Sequence, residues 1–202
     1  MTTLAILGVG GHASVVSEIA LLTGYNKIDY YDDYVVNSNI VGNSQLLYDN
    51  VDKYSGVFVA IGDNSTRLEK LLELEKYEVN LAKLIHPAAI VSQSSLIETG
   101  SVVMAGAVIS SNCHIGKGVI INTSASLDHD CMVKEGVHIS PGVRIAGNVK
   151  LNSLAWVGIG ATLINNIDIG SNAIVGAGSV VIHSVMESQI VVGVPAKEIK
   201  QL

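Results

Sequence analysis

Every sixth residue from Val91 to Val181 is valine, isoleucine or leucine, through Ile97, Val103, Ile109, Ile115 and Ile121 to Ile169 and Val175. Sixteen consecutive positions obey this rule, a run that chance does not sustain when about a third of residues are aliphatic. Two places ahead of each aliphatic stands a small or β-branched residue, from Ser101, Ala107 and Cys113 to Ser179. A period of six is neither the 3.6 of a helix nor the 2 of a plain strand. It suits short straight β segments joined by bends, each turning one aliphatic inward and setting a small residue at a corner. Three hexads, about 18 residues, close one triangular coil, and coils stack at roughly the 4.8 Å strand spacing. The spacing predicts about five such coils, with parallel sheets and no long loop between them.

Composition supports that picture. Hydrophobic residues make up 49% of the chain but aromatics only 4%, so its cores must be built from small and branched aliphatics. A formal net charge of -6 argues against nucleic acid or an anionic membrane surface as the main partner. Any anionic ligand must be met locally, by helix N-termini, backbone amides or a few lysines. The start, MTTLAILGVGGHA, has no basic leader, and no apolar run reaches transmembrane length. A cytoplasmic protein without membrane insertion is expected. Cys113 and Cys131 lie one coil apart at inward corners and read as stacked buried thiols, with a disulfide or a metal pair as the alternatives.

Residues 1–86 follow a different pattern and are read as a domain of their own, with 87–202 forming the prism and a short C-terminal tail. TLAILG, KIDYYDD and GVFVAIG read as strands. GGHASVV opens a helix, and STRLEKLLELEKY forms another, with Thr66 and Glu69 at capping-box spacing. VNLAKLIHP reads as a further strand leading into the prism. Alternating strands and helices imply a small parallel α/β sheet of Rossmann-like type. Gly8, Gly10 and Ala13 match G-x-G-x-x-G/A after a strand, and Asp32 and Asp33 end the next one. That fingerprint fits a nucleotide bound as part of a substrate, an NAD cofactor or a purely structural turn. Only one mononucleotide-binding half is present, which favours the first. His12 follows the glycines, where a ligand's phosphates or sugar would lie, unless it serves only to cap the helix.

His129 stands between Asp128 and Asp130, two places after the inward Leu127, so it faces outward. An adjacent carboxylate can fix its tautomer and stabilise imidazolium, as a base working near neutral pH requires. His138 also lies outside the aliphatic stripe, and Ala146–Asn148 supply a glycine with accessible backbone.

The G-x-G-G-H loop, YDD, AIGDN, NTSASLDHDC, AGN and the terminal GVPAK together resemble the hexapeptide-repeat sugar acetyltransferases. These include the UDP-4-amino-sugar N-acetyltransferases of the bacillosamine route and the sialic-acid O-acetyltransferases. The resemblance spans the whole chain. It implies a left-handed parallel β-helix, a homotrimer, acetyl-CoA as cosubstrate and no tightly bound cofactor or metal. It assigns His129 as general base with Asp130 as its acidic partner, and sets His138 and Asn122 at the acetyl and sugar site. Gly147 would offer its N–H to the thioester oxygen from the neighbouring subunit. Gly8, Gly10, Gly11, His12 and Asn64 would meet the phosphates and sugar, and Asp32 and Asp33 the uridine. Where the family carries glutamate, Asp130 is one methylene shorter, so its contact with His129 is expected to be longer or water-mediated. Coenzyme A would lie between two prisms near Lys197 or Lys200, and Trp156 would cover its adenine or a subunit contact. The expected reaction is N-acetylation of a UDP-linked 4-amino-4,6-dideoxy sugar. O-acetylation of a sugar or sialic-acid hydroxyl, a GDP-amino sugar, and a non-catalytic hexapeptide-repeat binding protein are the alternatives.

Overall fold

The computed structural model describes residues 2–35, 37–77 and 79–201. Strand β1 (Thr3–Leu7) is buried over its last four residues, as an all-apolar run in a central parallel strand should be. Strands β2 (Lys27–Tyr31), β3 (Ile40–Gly42) and β4 (Gly56–Val59) complete a sheet of order β3-β2-β1-β4. All its pairings are parallel. Helix α1 (Gly11–Leu22) covers one face; the short α2 (Ser44–Tyr48) and the longer α3 (Asn64–Glu75) lie toward the other. Gly8 adopts φ +107°, and a Cβ there would meet the Ala60 carbonyl oxygen at 2.8 Å. Only glycine lets the ends of β1 and β4 approach so closely.

The expected capping box does not form. Helix α3 begins earlier, and Asp63 is its cap, accepting the Thr66 N–H at 2.9 Å and the Thr66 hydroxyl at 2.8 Å. Thr66 is thereby the third helical residue, held by the cap rather than acting as one.

The segment read as one strand before Pro87 serves two sheets. Leu81 bridges Val57 of β4, whereas β5 (Leu84–Ile85) already pairs with Val102–Val103 of the prism. The three prism sheets hold eight, six and five strands. This amounts to about six coils of left-handed β-helix rather than five, because rungs before Val91 and after Val181 extend the stack at both ends. The last strand, Lys197–Gln201, folds back antiparallel on Gln189–Val192. Inside the prism the hexad aliphatics from Ile97 to Val181 form one buried column with the small corner residues, both cysteines included and free.

A third hexad register appears at the corners. From Gly100 to Gly178 every sixth residue has φ between 56° and 72°. Glycine fills half of these left-handed positions, and asparagine most of the others, the residues that adopt this conformation at least cost.

Two features dock the front domain. Val102, Met104 and Ile120 point outward from the longest sheet, yet are 0–3% exposed, because they share a core with Leu4, Ile6, Val16 and Ile19. Along one edge, Gly100, Gly118 and Gly136 stack beneath α3, and a Cβ on Gly100 would run into Leu71. One coil further the same corner carries Leu154, whose carbonyl meets Asn64 at the first turn of α3. No helix among the described residues is long and apolar enough to cross a membrane.

Candidate active site

The turn after Leu127 joins two prism sheets, and its three ionisable residues divide the work. The Asp128 carboxylate accepts the His129 backbone N–H at 2.8 Å and so shapes the turn. Asp130 accepts from the imidazole Nδ1 at 2.7 Å, a direct contact rather than the longer or bridged one expected. Its left-handed backbone, φ +59°, swings the short side chain back toward the ring, and Asn112 Nδ2 holds the other carboxylate oxygen at 3.2 Å. The ring and its partner are half exposed, with side chains 59% and 52% accessible. The hydrogen bond donated to Asp130, followed by the charge of Asp128, raises the His129 pKa above its ordinary value. With Nδ1–H donated to the carboxylate, Nε2 is left as the free basic atom.

Gly147 lies one coil on, against that atom. A Cβ built on it would come within 2.6 Å of His129 Cε1 and Nε2. Its own N–H has no hydrogen-bond partner among the described residues. The expectation that Gly147 comes from the neighbouring subunit therefore gives way to an edge on which Gly147 and His129 belong to one chain. Gly147→Ala is expected to push the exposed imidazole aside while leaving the backbone intact. A displacement of this kind costs about 100-fold in kcat. Steady-state rates with a parallel melting curve check this, and full activity in the alanine variant would remove Gly147 from the site.

His138 and Asn122 lie elsewhere. They project from the longest sheet, the face opposite the His129 edge, just where it emerges from under the front domain. A cavity of about 560 Å³ opens there between the start of α3 (Gly62 to Ser65) and a wall of His138, Trp156 and Ile174. Trp156 lies next to His138 in register, stacks on it with ring centroids 6.2 Å apart, and donates from Nε1 to Ser140 Oγ at 2.9 Å. Trp156 is thus part of this wall in its own chain. Asn122 Nδ2 contacts His138 Nε2 at 3.2 Å. Asn64 donates to the Leu154 and Ala155 carbonyls at 3.0 and 3.3 Å, tying α3 to the prism. Burial, then the charge of Arg67 and then His12, depress the His138 pKa to about 4.

In the front domain, α1 starts at Gly10 with no side-chain cap, leaving its first N–H groups open to an anion. His12 lies in that first turn, and its Nε2 is buried without a hydrogen-bond partner among the described residues. Burial, then Arg67, lower its pKa to about 4. A smaller cleft of about 190 Å³ lies beside the loop, lined by Val9, Ser14, Tyr30, Asn37 and Asn39 among others. The two aspartates differ. Asp32 Oδ1 accepts the Tyr34 and Val35 N–H groups at 2.8 and 2.9 Å in an exposed turn. Asp33 accepts the Ser44 N–H at 2.8 Å and lies 3.6 Å from Lys70 Nζ, so it braces α2 against α3. Lys197 and Lys200 are exposed on the last strand.

One chain therefore brings together His12, Asn64, Asn122 and His138 on one side, and His129, Asp130 and Gly147 on another. Sequence reasoning gave Asp128 no role of its own and missed Asn112 and Arg67. Arg67 had a legible signal: it shares the buried stripe of α3 with Leu71 and Leu74.

Residues 3–74 match the family described as the PglD N-terminal domain. The chain is similar to the acetyltransferase domain of PglB from Neisseria gonorrhoeae, solved with acetyl coenzyme A. Identity is 37%, 98% of each chain is covered, and the TM-score is 0.93. It is also similar to perosamine N-acetyltransferase from Caulobacter crescentus, solved as a histidine-to-asparagine variant with CoA and GDP-perosamine. That match has 35% identity, a TM-score of 0.96, and covers 100% of this chain and 98% of the other. WeeI from Acinetobacter baumannii matches at 25% identity and TM-score 0.84, over 98% of this chain and 100% of that one. This chain belongs to the hexapeptide-repeat sugar acetyltransferases and is an acyltransferase.

Proposed function

We propose that the protein acetylates the amino group of a UDP-linked 4-amino-4,6-dideoxy sugar, with His129 as general base. The observation that carries this reading is the imidazole at an exposed prism edge, its Nδ1 2.7 Å from Asp130 and its Nε2 against Gly147. The acceptor enters as an ammonium. His129 Nε2 takes the proton, and the nitrogen lone pair attacks the thioester carbonyl carbon. The Gly147 N–H supports the oxyanion that forms, a donor type whose loss costs roughly 3 kcal/mol. Collapse breaks the carbon–sulfur bond, the imidazolium returns its proton to the departing thiolate, and the proton left on the nitrogen passes to solvent as the neutral amide forms. Holding amine and thioester together converts a two-body encounter into an oriented one.

The nucleotide belongs at the open N-terminus of α1, beside Gly8, Gly10 and Gly11, with its sugar reaching the cavity of Asn64 and His138, whose ring Asn122 contacts. His12 supplies an unpaired nitrogen along that route, and Asp32 lies at its far end. Because that cavity and the His129 edge are on opposite sides of a prism, the complete site needs a second copy. A homotrimer sharing its sites, with coenzyme A between prisms, fits this division. Acetyl-CoA and sugar nucleotides are metabolites of the cytoplasm, where we place the reaction.

The relative from Caulobacter crescentus was solved with a GDP sugar, which makes the base of the nucleotide the first thing to test. UDP at about 100 times its Kd should stabilise the fold by about 2.7 kcal/mol by mass action, read as a rise in Tm. GDP should do less at equal concentration, and NAD nothing. A larger rise with GDP would transfer the proposal to a GDP-amino sugar; a rise with NAD alone would end it.

A further inference from the structure

Arg67 is completely buried, 0% exposed, with no carboxylate in contact among the described residues. Its Nε donates to the Gly118 carbonyl at 2.7 Å. One terminal nitrogen donates to the Ile61 and Gly62 carbonyls at 3.1 and 3.0 Å. The other reaches Asn64 Oδ1 at 2.8 Å and the Gly136 carbonyl at 2.7 Å. Gly118 and Gly136 are successive rungs of the glycine edge beneath α3. For packing alone, an apolar residue would serve better than a buried charge. Lysine, a point donor on a flexible stem, lacks the planar fork that spans these oxygens.

We propose that Arg67 is a positioning residue for acetyl transfer: it fastens the 61–64 loop to the prism and, with Asn122, presents His138 to the acceptor as a hydrogen-bond donor through Nδ1. This rests on the acetyl-transfer reading above and adds how its acceptor pocket is set. The Asn122 amide is pinned, because its Oδ1 accepts the Thr123 N–H at 2.8 Å. Its Nδ2 must then donate to His138 Nε2, 3.2 Å away. A neutral ring so engaged carries its proton on Nδ1, which has no partner among the described residues. The titratable and charged groups facing His138 come from three elements: Arg67 on α3, Asp63 at the cavity rim and His12 on α1. Burial and the guanidinium oppose a second positive charge there, so the ring stays neutral. Such a ring donates to a hydroxyl, carbonyl or amide oxygen of the acceptor. It cannot strip the ammonium, since its lone pair is taken, and that leaves proton removal to His129.

The test combines nitrogen-15 histidine NMR of the intact protein with kinetics on acetyl-CoA and a UDP-4-amino-4,6-dideoxy-hexose. His138 should hold one proton, on Nδ1, from pH 8 down to 5. Arg67→Met should bring its titration into the range about 5 to 7 and lower kcat at least tenfold, most at the acid end. Arg67→Lys should restore the neutral ring and only part of the rate. If Arg67→Met fails to fold, Asn122→Ala still decides, because removing its donor must mix the two tautomers. A wild-type ring protonated on Nε2, a normal titration near the ordinary imidazole value, or a folded Arg67→Met with unchanged kcat and pH profile would each overturn the proposal. The NMR arm is read without turnover; failure of the acetyl-transfer reading would show separately, as no product from wild-type protein.

Discussion

His129→Ala lowers kcat by at least about 100-fold, the usual contribution of a positioned general base, and leaves the fold intact. The side chain stands on an exposed turn, so its removal opens no cavity and strands no buried partner. The loss should fall on kcat and kcat/KM alike, as expected for a group acting in the transition state. The pH profile carries a second signature. Asp130, then Asp128, raise the imidazole pKa, so the acid limb of the rate should lie above the ordinary histidine value near 6.5. Asp130→Asn should shift it downward. Mixed trimers add a third. Chains lacking His129 should recover activity when reassembled with chains lacking His138, because each retains the half-site the other has lost. Chains altered at Gly147 should not complement them, because Gly147 and His129 share one edge. A folded His129→Ala variant with near-normal turnover at pH 7 would remove the base from the mechanism.

Acid should weaken the fold before its carboxylates are protonated. His12 and His138 both have pKa values near 4 in the fold, against 6.5 for the free side chain. Between those limits the unfolded chain binds protons that the folded chain refuses, so stability falls as pH drops. Each histidine accounts for up to roughly 3 kcal/mol across that window, a large share of a typical domain's margin. Carboxylates with depressed values, such as Asp63 and Glu135, add losses mainly below about pH 4.5. Urea titrations at pH 7, 6 and 5 isolate the histidines, and His12→Gln and His138→Gln should each flatten the slope. Equal stability at pH 7 and 5 would mean that neither ring is held neutral.

The prism was legible because its signal is local and repeated: a hexad aliphatic needs no knowledge of distant contacts. The outward face was harder. His129 and His138 look alike in sequence, each outside the aliphatic stripe, but only docking of the front domain over Val102 and Ile120 turns one into a cavity wall. Asp32 and Asp33 were equally indistinguishable until α2 came within reach at Ser44. The Asp130 contact was misjudged from side-chain length, whereas its backbone angle decides the reach. That angle had a trace in the sequence, since position 130 falls in the register of Gly100, Gly118 and Asn112.

The unbroken corner register also constrains how such a protein can change. Deleting or adding one residue between Gly100 and Gly178 would turn every later inward aliphatic toward water and place side chains such as Val or Ile on left-handed backbone. Length can change there only by whole coils, and a whole coil inserted between His129 and Gly147 would separate the base from its floor by a full strand spacing. New substrate preferences must therefore arise outside the register, in the 32–40 and 61–65 segments, where no hexad repeat fixes the length. In lineages descended from this chain, insertions should collect in those two segments and be nearly absent from the coils.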